Sequence, residues 1–393
     1  MTAPDALRGR DIVCVGFADW ETELWTNQHH LMSRLAAGGA RVLFVESLGL
    51  RRPTVAGRDL RRIARRLRRG VAPPRRLDGV HVLSPLVLPL HGLGAARALN
   101  ARLLPALVGR AARRLGLRRP ILWGYVPQAE LLLDTLDPSL VVYHCVDDIA
   151  AQEGIDEASF RAAEERFVRR ADLVLASAPG LAERLRPLNG NVRLMPNVAD
   201  TELFATALEP GPADPALDGL ARPRLVFCGA VAEKKLDMPL LLDIARARRD
   251  WTVALVGPVG LGDPHTDVSA LAAEPNVHLL GARPHDELPQ VLRGADVALI
   301  PYRRSRLTDS IFPMKVYEYL AAGRPVVATE LPSLDGVAGV RRASGTDAFA
   351  AAVEDALAHD TPEERRRLSA LAAGHSWDAR VAEIGDEIAA LGR

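Results

Sequence analysis

The chain is poor in lysine, cysteine and aromatic residues, and each shortage narrows what it can be. Only three lysines, Lys234, Lys235 and Lys315, stand among 50 basic residues. Arginine otherwise fills the basic role, so three lysines confined to one half point to a shared site. The three cysteines, Cys14, Cys145 and Cys228, each lie in an apolar run of strand character without metal-ligand spacing. They read as buried, reduced and structural. No aromatic residue interleaves the arginines of residues 51–69, so nucleic acid, which would use stacking platforms, is not the expected partner. No apolar run is long enough to cross a membrane, since residues 83–93 are broken by Pro85 and Pro89. The first residues are polar and lead into no apolar segment of signal-peptide type, so a cytoplasmic location is expected. Neither a Gly-x-Gly-x-x-Gly fingerprint nor a Walker loop occurs, and a dinucleotide-dependent oxidoreductase is correspondingly disfavoured.

What is present is a soluble globular composition, 48% hydrophobic, in 393 residues, enough for two domains of ordinary size. The net charge of +1 conceals an asymmetry. Residues 1–120 hold 22 arginines against 8 acids, about +14, leaving the remainder at about −13. The excess lies in two blocks, from Arg51 to Arg76 and from Arg97 to Arg119. It is read either as a solvated arginine face or as a patch for an anionic membrane surface, which would make the chain peripheral at the inner face of the membrane.

Apolar runs alternate with helical patterns along the whole chain. Strands are expected at 12–17, 41–46, 121–125, 140–146, 172–176 and 191–195, with helices between several of them, as at 27–37, 159–170 and 179–185. Residues 201–223 have the proline- and glycine-containing composition of a linker. A second series begins at 224–228 and continues through strands at 251–257, 276–281 and 296–302 and helices at 238–249 and 285–294. Strand–helix alternation of this kind builds parallel sheets, whose ligands meet the carboxyl ends of the strands. Asp19, Trp20 and Glu21 follow the first strand and are candidates for an acceptor. Asp147 and Asp148 follow the strand bearing His144, where a carboxylate could either take a proton from a hydroxyl or cap the next segment.

The most informative stretch runs from Asp309 to Thr329. Pro313 suits a first helical turn, and Val316, Tyr319 and Leu320 form one apolar face. Gly323 ends the helix, and Val326-Val327-Ala328 has the length of a buried parallel strand. Lys315 and Glu318 share a helix face, where a lysine can meet phosphate and a carboxylate can accept hydrogen bonds from a ribose diol. A surface ion pair is the plain alternative.

This stretch resembles the nucleotide-sugar signature of GT-B glycosyltransferases of the group 1, family 4-like type, in which a Glu-x7-Glu pair leads into Ala-Ala-Gly-x-Pro-Val-Val. Glu318 matches the second glutamate, while Ser310 stands at the first. Pro313-Met314-Lys315 is similar to the teichuronic-acid and xanthan-type subgroups. The segments at 171–177 and 195–200 are similar to others of the family, and Gly229-Ala-Val-Ala-Glu-Lys-Lys235 corresponds to its diphosphate loop, with Ala230 in place of the usual arginine.

The resemblance implies an α/β GT-B fold, with two Rossmann-like α/β/α domains facing across a cleft. They would comprise an acceptor-binding domain (1–200), a linker (201–223), a nucleotide-sugar domain (224–375) and a closing helix (376–393), anchored by Trp377, that returns to the first domain. It implies a hexosyl-type transfer from a nucleoside diphosphate sugar, as co-substrate, to a hydroxyl of a glycan, a lipid-linked acceptor or a small natural product. The donor would be met by Gly229, Lys234, Lys235, Gly257, Arg283, Ser310, Met314, Lys315 and Glu318, and the base would be Asp147 or Asp148 with His144 nearby. No Asp-x-Asp occurs, so no metal or other cofactor is expected, and the loss of the first glutamate favours inversion. An epimerase of the same fold and a non-catalytic nucleotide-sugar sensor are the alternatives.

Overall fold

A computed structural model of the chain describes residues 6–22, 24–48, 72–87, 94–152 and 154–392. The chain divides into two compact units, Met1–Pro196 with Trp377–Arg393, and Asn197–Ser376. The first arginine block lies mostly outside the described residues. Among those described, no helix is long and apolar enough to cross a membrane.

The sheet of the first unit contains β1 (Asp11–Val15), β2 (Arg41–Val45), β3 (Arg75–Leu77), β4 (Val80–Leu83), β5 (Ile121–Gly124), β6 (Leu140–Cys145), β7 (Leu173–Ala176) and β8 (Val192–Leu194). Their order is β3-β4-β2-β1-β5-β6-β7-β8, parallel except for the β3–β4 pair. Side chains alternate across the sheet, so Val13, Val15, Leu43 and Val45 enter one core, while Ile12, Cys14, Val42 and Phe44 enter the other. Both faces are covered, which is why these strands read as continuous apolar runs. β3 and β4 form a hairpin that the sequence reading passed over. Its two-residue turn, Asp78-Gly79, has φ of +49° and +81°, the left-handed pair that a tight hairpin requires. The last helix, Trp377–Ala390, packs on helix Asn27–Ala37, with Trp377 stacked on His30 at 5.0 Å and Arg34 bonded to Asp378 at 3.1 Å.

The second unit holds β9 (Arg224–Cys228), β10 (Thr252–Val256), β11 (Val277–Leu279), β12 (Val297–Ile300), β13 (Val326–Thr329) and β14 (Val340–Ala343). All are parallel, in the order β11-β10-β9-β12-β13-β14. The expected α/β class, with Rossmann-like units and a closing helix on the first, is therefore the observed one.

Residues 201–223 are part of the second unit. Helix Thr201–Ala205 and the turns after it bury Phe204, Ala207 and Leu217 in that unit's core. Asp214 is buried too, and Arg283 grips it through Nε at 2.6 Å and Nη2 at 3.3 Å. Burial pushes the Asp214 carboxyl up, but Arg283 and the Ala216 N–H outweigh it and hold it below its ordinary value. The segment looks like a linker in composition because its order comes from these tertiary contacts. Leu217→Ala should therefore cost about 2–5 kcal/mol in denaturant unfolding; a change below about 0.5 kcal/mol would mean the segment is a tether.

Candidate functional site

In the second unit the strand order reverses between β9 and β12, the position where open α/β sheets bind ligands. β9 ends at Cys228, and Gly229 follows with φ +149°. Its N–H donates to the Val256 carbonyl at 2.8 Å. Gly257, at the end of β10, has φ +154°. A Cβ on Gly257 would run into the Gly229 carbonyl, and a Cβ on Gly229 would collide with Cε of Lys315. Only glycines allow the two strand ends to approach so closely and leave room for Lys315 over Gly229.

Lys315 opens helix Lys315–Ala321 and is half-buried, with its ammonium 6.0 Å from the centre of the Phe227 ring. Burial works against its charge, but Tyr302, Glu318 and Cys228 outweigh burial and set its pKa above the ordinary lysine value. One turn on, the Tyr319 hydroxyl accepts from the Cys228 N–H at 2.8 Å and reaches back to the Cys228 carbonyl at 3.3 Å. The helix is thus tied to the strand end it overhangs. Glu318 is 6% exposed, yet its carboxylate makes no hydrogen bond among the described residues. Burial, with Glu318 adding to it, pushes the Cys228 thiol up to about 12 despite Lys315.

The 229–236 loop is stitched to both neighbouring strand ends, through bridges from Val231 to Val259 and from Leu236 to Tyr302. Lys235 is half-buried, and its ammonium has no partner among the described residues. Lys234 is engaged: its ammonium meets the Gly262 carbonyl and its backbone N–H meets Asp263 at 2.9 Å. Ser310 donates to the Arg306 carbonyl at 3.0 Å, and Met314 is half-buried just ahead of the helix. Gly229, Gly257, Lys315 and Glu318 are therefore brought to one strand-end region with Lys235. Arg283, expected at a base or phosphate, is instead committed to Asp214.

In the first unit His144, the penultimate residue of β6, is buried in the core. It is 1% exposed, stacks on Tyr125 at 4.8 Å, and neither ring nitrogen has a hydrogen-bond partner among the described residues. Burial, helped by the Arg380 charge, pushes its pKa down to about 3. The ring stays neutral and out of reach of a substrate, which removes the role expected for it.

Asp148 is buried and ion-paired with Arg161. Arg161 also meets Glu164 at 3.1 Å, and the Glu164 carboxylate accepts from the Tyr143 hydroxyl at 2.6 Å and is paired with Arg184. Burial raises the Glu164 carboxyl, but Arg184, Tyr143 and Arg161 bring it below its ordinary value. Asp147, at the same strand end, is half-exposed. This network was missed in the sequence because its members are spread over three elements.

The loop after β1 is likewise filled with internal contacts. Trp20 is buried against Phe44 and His29, its indole donates to Asp78 at 3.0 Å, and its backbone N–H meets Glu46 at 2.9 Å. Thr26 N–H donates to Nδ1 of His29, so Nε2 carries the proton and donates to the Asp19 carbonyl at 3.0 Å. Glu21 is exposed and paired with Arg75 at 3.0 Å. Trp20 thus serves as an anchor of the loop, leaving Trp25, 37% exposed, as its outward aromatic.

Residues 222–359 match the family model described as Glycosyl transferases group 1. The putative teichuronic acid biosynthesis glycosyltransferase TuaH of Bacillus subtilis (strain 168) is 31% identical over 229 residues, which is 55% of this chain and 56% of that protein. The match thus spans about half the length of that relative. Among solved structures, Anabaena HepE in complex with UDP superposes with a TM-score of 0.65 at 15% identity, over 97% of this chain and 99% of that one. Sucrose-phosphate synthase from Thermosynechococcus elongatus gives 0.65 at 17% identity, over 97% and 99%. A glycosyltransferase from Rickettsia africae gives 0.67 at 11%, over 97% and 98%. The resemblance drawn from residues 309–329 is borne out, and the fold is that of the GT-B glycosyltransferases.

Two measurements check the assignments in the first unit. As pH falls, the unfolded chain takes up a proton on His144 near the ordinary histidine value of about 6.5, whereas the folded chain resists to about 3. The stabilising contribution is complete above about pH 6.5 and is lost progressively as pH drops toward 3, with a slope approaching 1.4 kcal/mol per pH unit, roughly. His144→Leu should flatten that acid limb in denaturant titrations; an unchanged slope would place the titration elsewhere. Asp148→Asn strips Arg161 of a buried partner and should lower stability by about 1–3 kcal/mol. A change below about 0.5 kcal/mol would contradict the pairing.

Proposed function

We propose that this chain, whose residues 222–359 carry the group 1 glycosyltransferase domain, moves a sugar from a nucleoside diphosphate sugar to a hydroxyl acceptor. The observation that carries the reading is the Lys315 ammonium held over Gly229 at the strand-order reversal, with the buried Glu318, whose carboxylate makes no hydrogen bond among the described residues, one residue short of a turn away. Lys315 and Lys235 would neutralise the diphosphate as it leaves, in the place a metal would otherwise take. Glu318 would accept hydrogen bonds from the ribose. UDP is the nucleotide proposed, because the structurally similar Anabaena HepE is solved with UDP and with UDP-glucose.

Asp147 is the carboxylate proposed to take the acceptor proton in an inverting displacement, because it is the more exposed of the two at the end of β6. The reading includes a cytoplasmic location with peripheral contact to an anionic membrane face, supported by the arginine excess of residues 1–120.

The test is to incubate the full chain with UDP-sugars, with and without a panel of hydroxyl acceptors, and in the presence of a chelator. Release of UDP only when an acceptor is present, undiminished by the chelator, is expected. An epimerised sugar formed from donor alone would make the protein an epimerase, and tight UDP binding without turnover would make it a sensor. Glu318→Gln should weaken UDP binding about tenfold while leaving pyrophosphate binding unchanged; equal weakening of both would move Glu318 away from the ribose.

A further inference from the structure

Helix Gly94–Arg114 is the longest among the described residues, and no acid occurs anywhere from residue 79 to 129. One side of the helix, with Leu104, Val108, Ala111 and Ala112, is buried in the core of the first unit. The opposite side presents Leu99, Arg102, Arg110, Arg113 and Arg114, all exposed, with Leu103 half-buried among them. At helical spacing these residues share about a third of the circumference.

None of these four arginines is engaged by a carboxylate among the described residues. That sets them apart from arginines elsewhere in the chain, such as Arg283 on Asp214, Arg341 on Asp355 and Arg367 on Glu364, each at 2.6 Å. The nearest acids that follow in the chain are already used. Glu130 pairs with Arg166 at 3.2 Å and Asp137 with Arg119 at 3.3 Å, and Asp134 lies 3.9 Å from Arg170. The negative end of the helix favours Arg113 and Arg114 in the last turn, but Arg102 is too far from that end to gain from it. Arg110, Arg113 and Arg114 stand three and four residues apart and repel one another. The free chain carries that repulsion, and an anionic partner would relieve it.

We infer that this face docks the chain on an anionic lipid bilayer, with the guanidiniums among the phosphate headgroups and Leu99 at the acyl boundary. An exposed leucine beside the arginines fits a lipid surface. A nucleic acid would use an aromatic stacking platform, and the face has none. The assignment rests on the peripheral membrane contact of the reading above and names the surface that makes it; it does not depend on the transfer reaction.

The test is co-sedimentation of the full chain with vesicles of phosphatidylcholine alone and of phosphatidylcholine mixed with phosphatidylglycerol, at low and high salt. Binding only to the anionic vesicles, and release at high salt, is expected. The variant R102E/R110E/R113E/R114E should lower the partition coefficient by at least about tenfold while retaining UDP binding and far-UV circular dichroism. R366E/R367E, on the second unit, should bind vesicles as the parent does. Leu99→Ser should lower the partition without altering its salt dependence. The inference fails if the parent ignores anionic vesicles at low salt, or if the fourfold variant binds them as tightly as the parent. Gel-shift binding of RNA without vesicle binding would overturn it in favour of a nucleic acid.

Discussion

The second unit is organised by a steric constraint, the close approach of two glycines with Lys315 packed against one of them. Gly257 lets its strand end touch the Gly229 carbonyl, and Gly229 leaves the space that the Lys315 side chain fills. Alanine at either position would incur a left-handed backbone penalty of about 1–2 kcal/mol, with overpacking of similar size beside it. Tyr319 supplies the complementary attachment, hydrogen-bonding both backbone groups of Cys228 from within the same helix as Lys315. Helix and strand end are therefore fixed to one another before any ligand arrives. A cation held in this way loses little freedom on meeting a diphosphate, which is what preorganisation contributes to affinity.

Charge in the first unit is handled differently. Asp148, Arg161, Glu164 and Arg184 form a largely buried chain of alternating sign, closed by the Tyr143 hydroxyl. Removing ions from water is costly, and the arrangement is tolerable because each buried carboxylate finds a guanidinium. Such a network is weak as a source of stability but fixes the end of β6. It leaves Asp147 as the half-exposed carboxylate there. The aromatic packing of Trp20, His29 and Phe44 does the same for the loop after β1, converting expected contact residues into supports.

Much of the fold was legible because fully covered parallel strands must be apolar on both faces. Runs such as 224–228 and 326–329 announce themselves for that reason. Pro313, Lys315, Glu318 and Gly323 were readable because their conformational and chemical demands are local in sequence. The hairpin at Asp78-Gly79 carried a clear turn signal, but its strands are short and one is rich in arginine, so periodicity did not reveal them. The segment 201–223 misled for the opposite reason, since its order comes from burial of Leu217 and from Arg283 gripping Asp214, which no local pattern encodes. His144 and Arg283 share that lesson. Residue type and nearness to a strand end made them candidates, and contacts distant in sequence decided otherwise, burial against Tyr125 for His144 and the ion pair with Asp214 for Arg283.

The account stands on Lys315 as the cation that meets the donor's diphosphate. The direct test is calorimetric titration of UDP into the parent chain and into Lys315→Ala, with Lys315→Arg alongside to retain the charge. A hydrogen-bonded ion pair of this kind is worth about 1.5–3 kcal/mol, so alanine should raise the Kd roughly ten- to a hundredfold, with partial recovery by arginine. An alanine variant that folds normally and binds UDP with the parent's Kd would contradict the account.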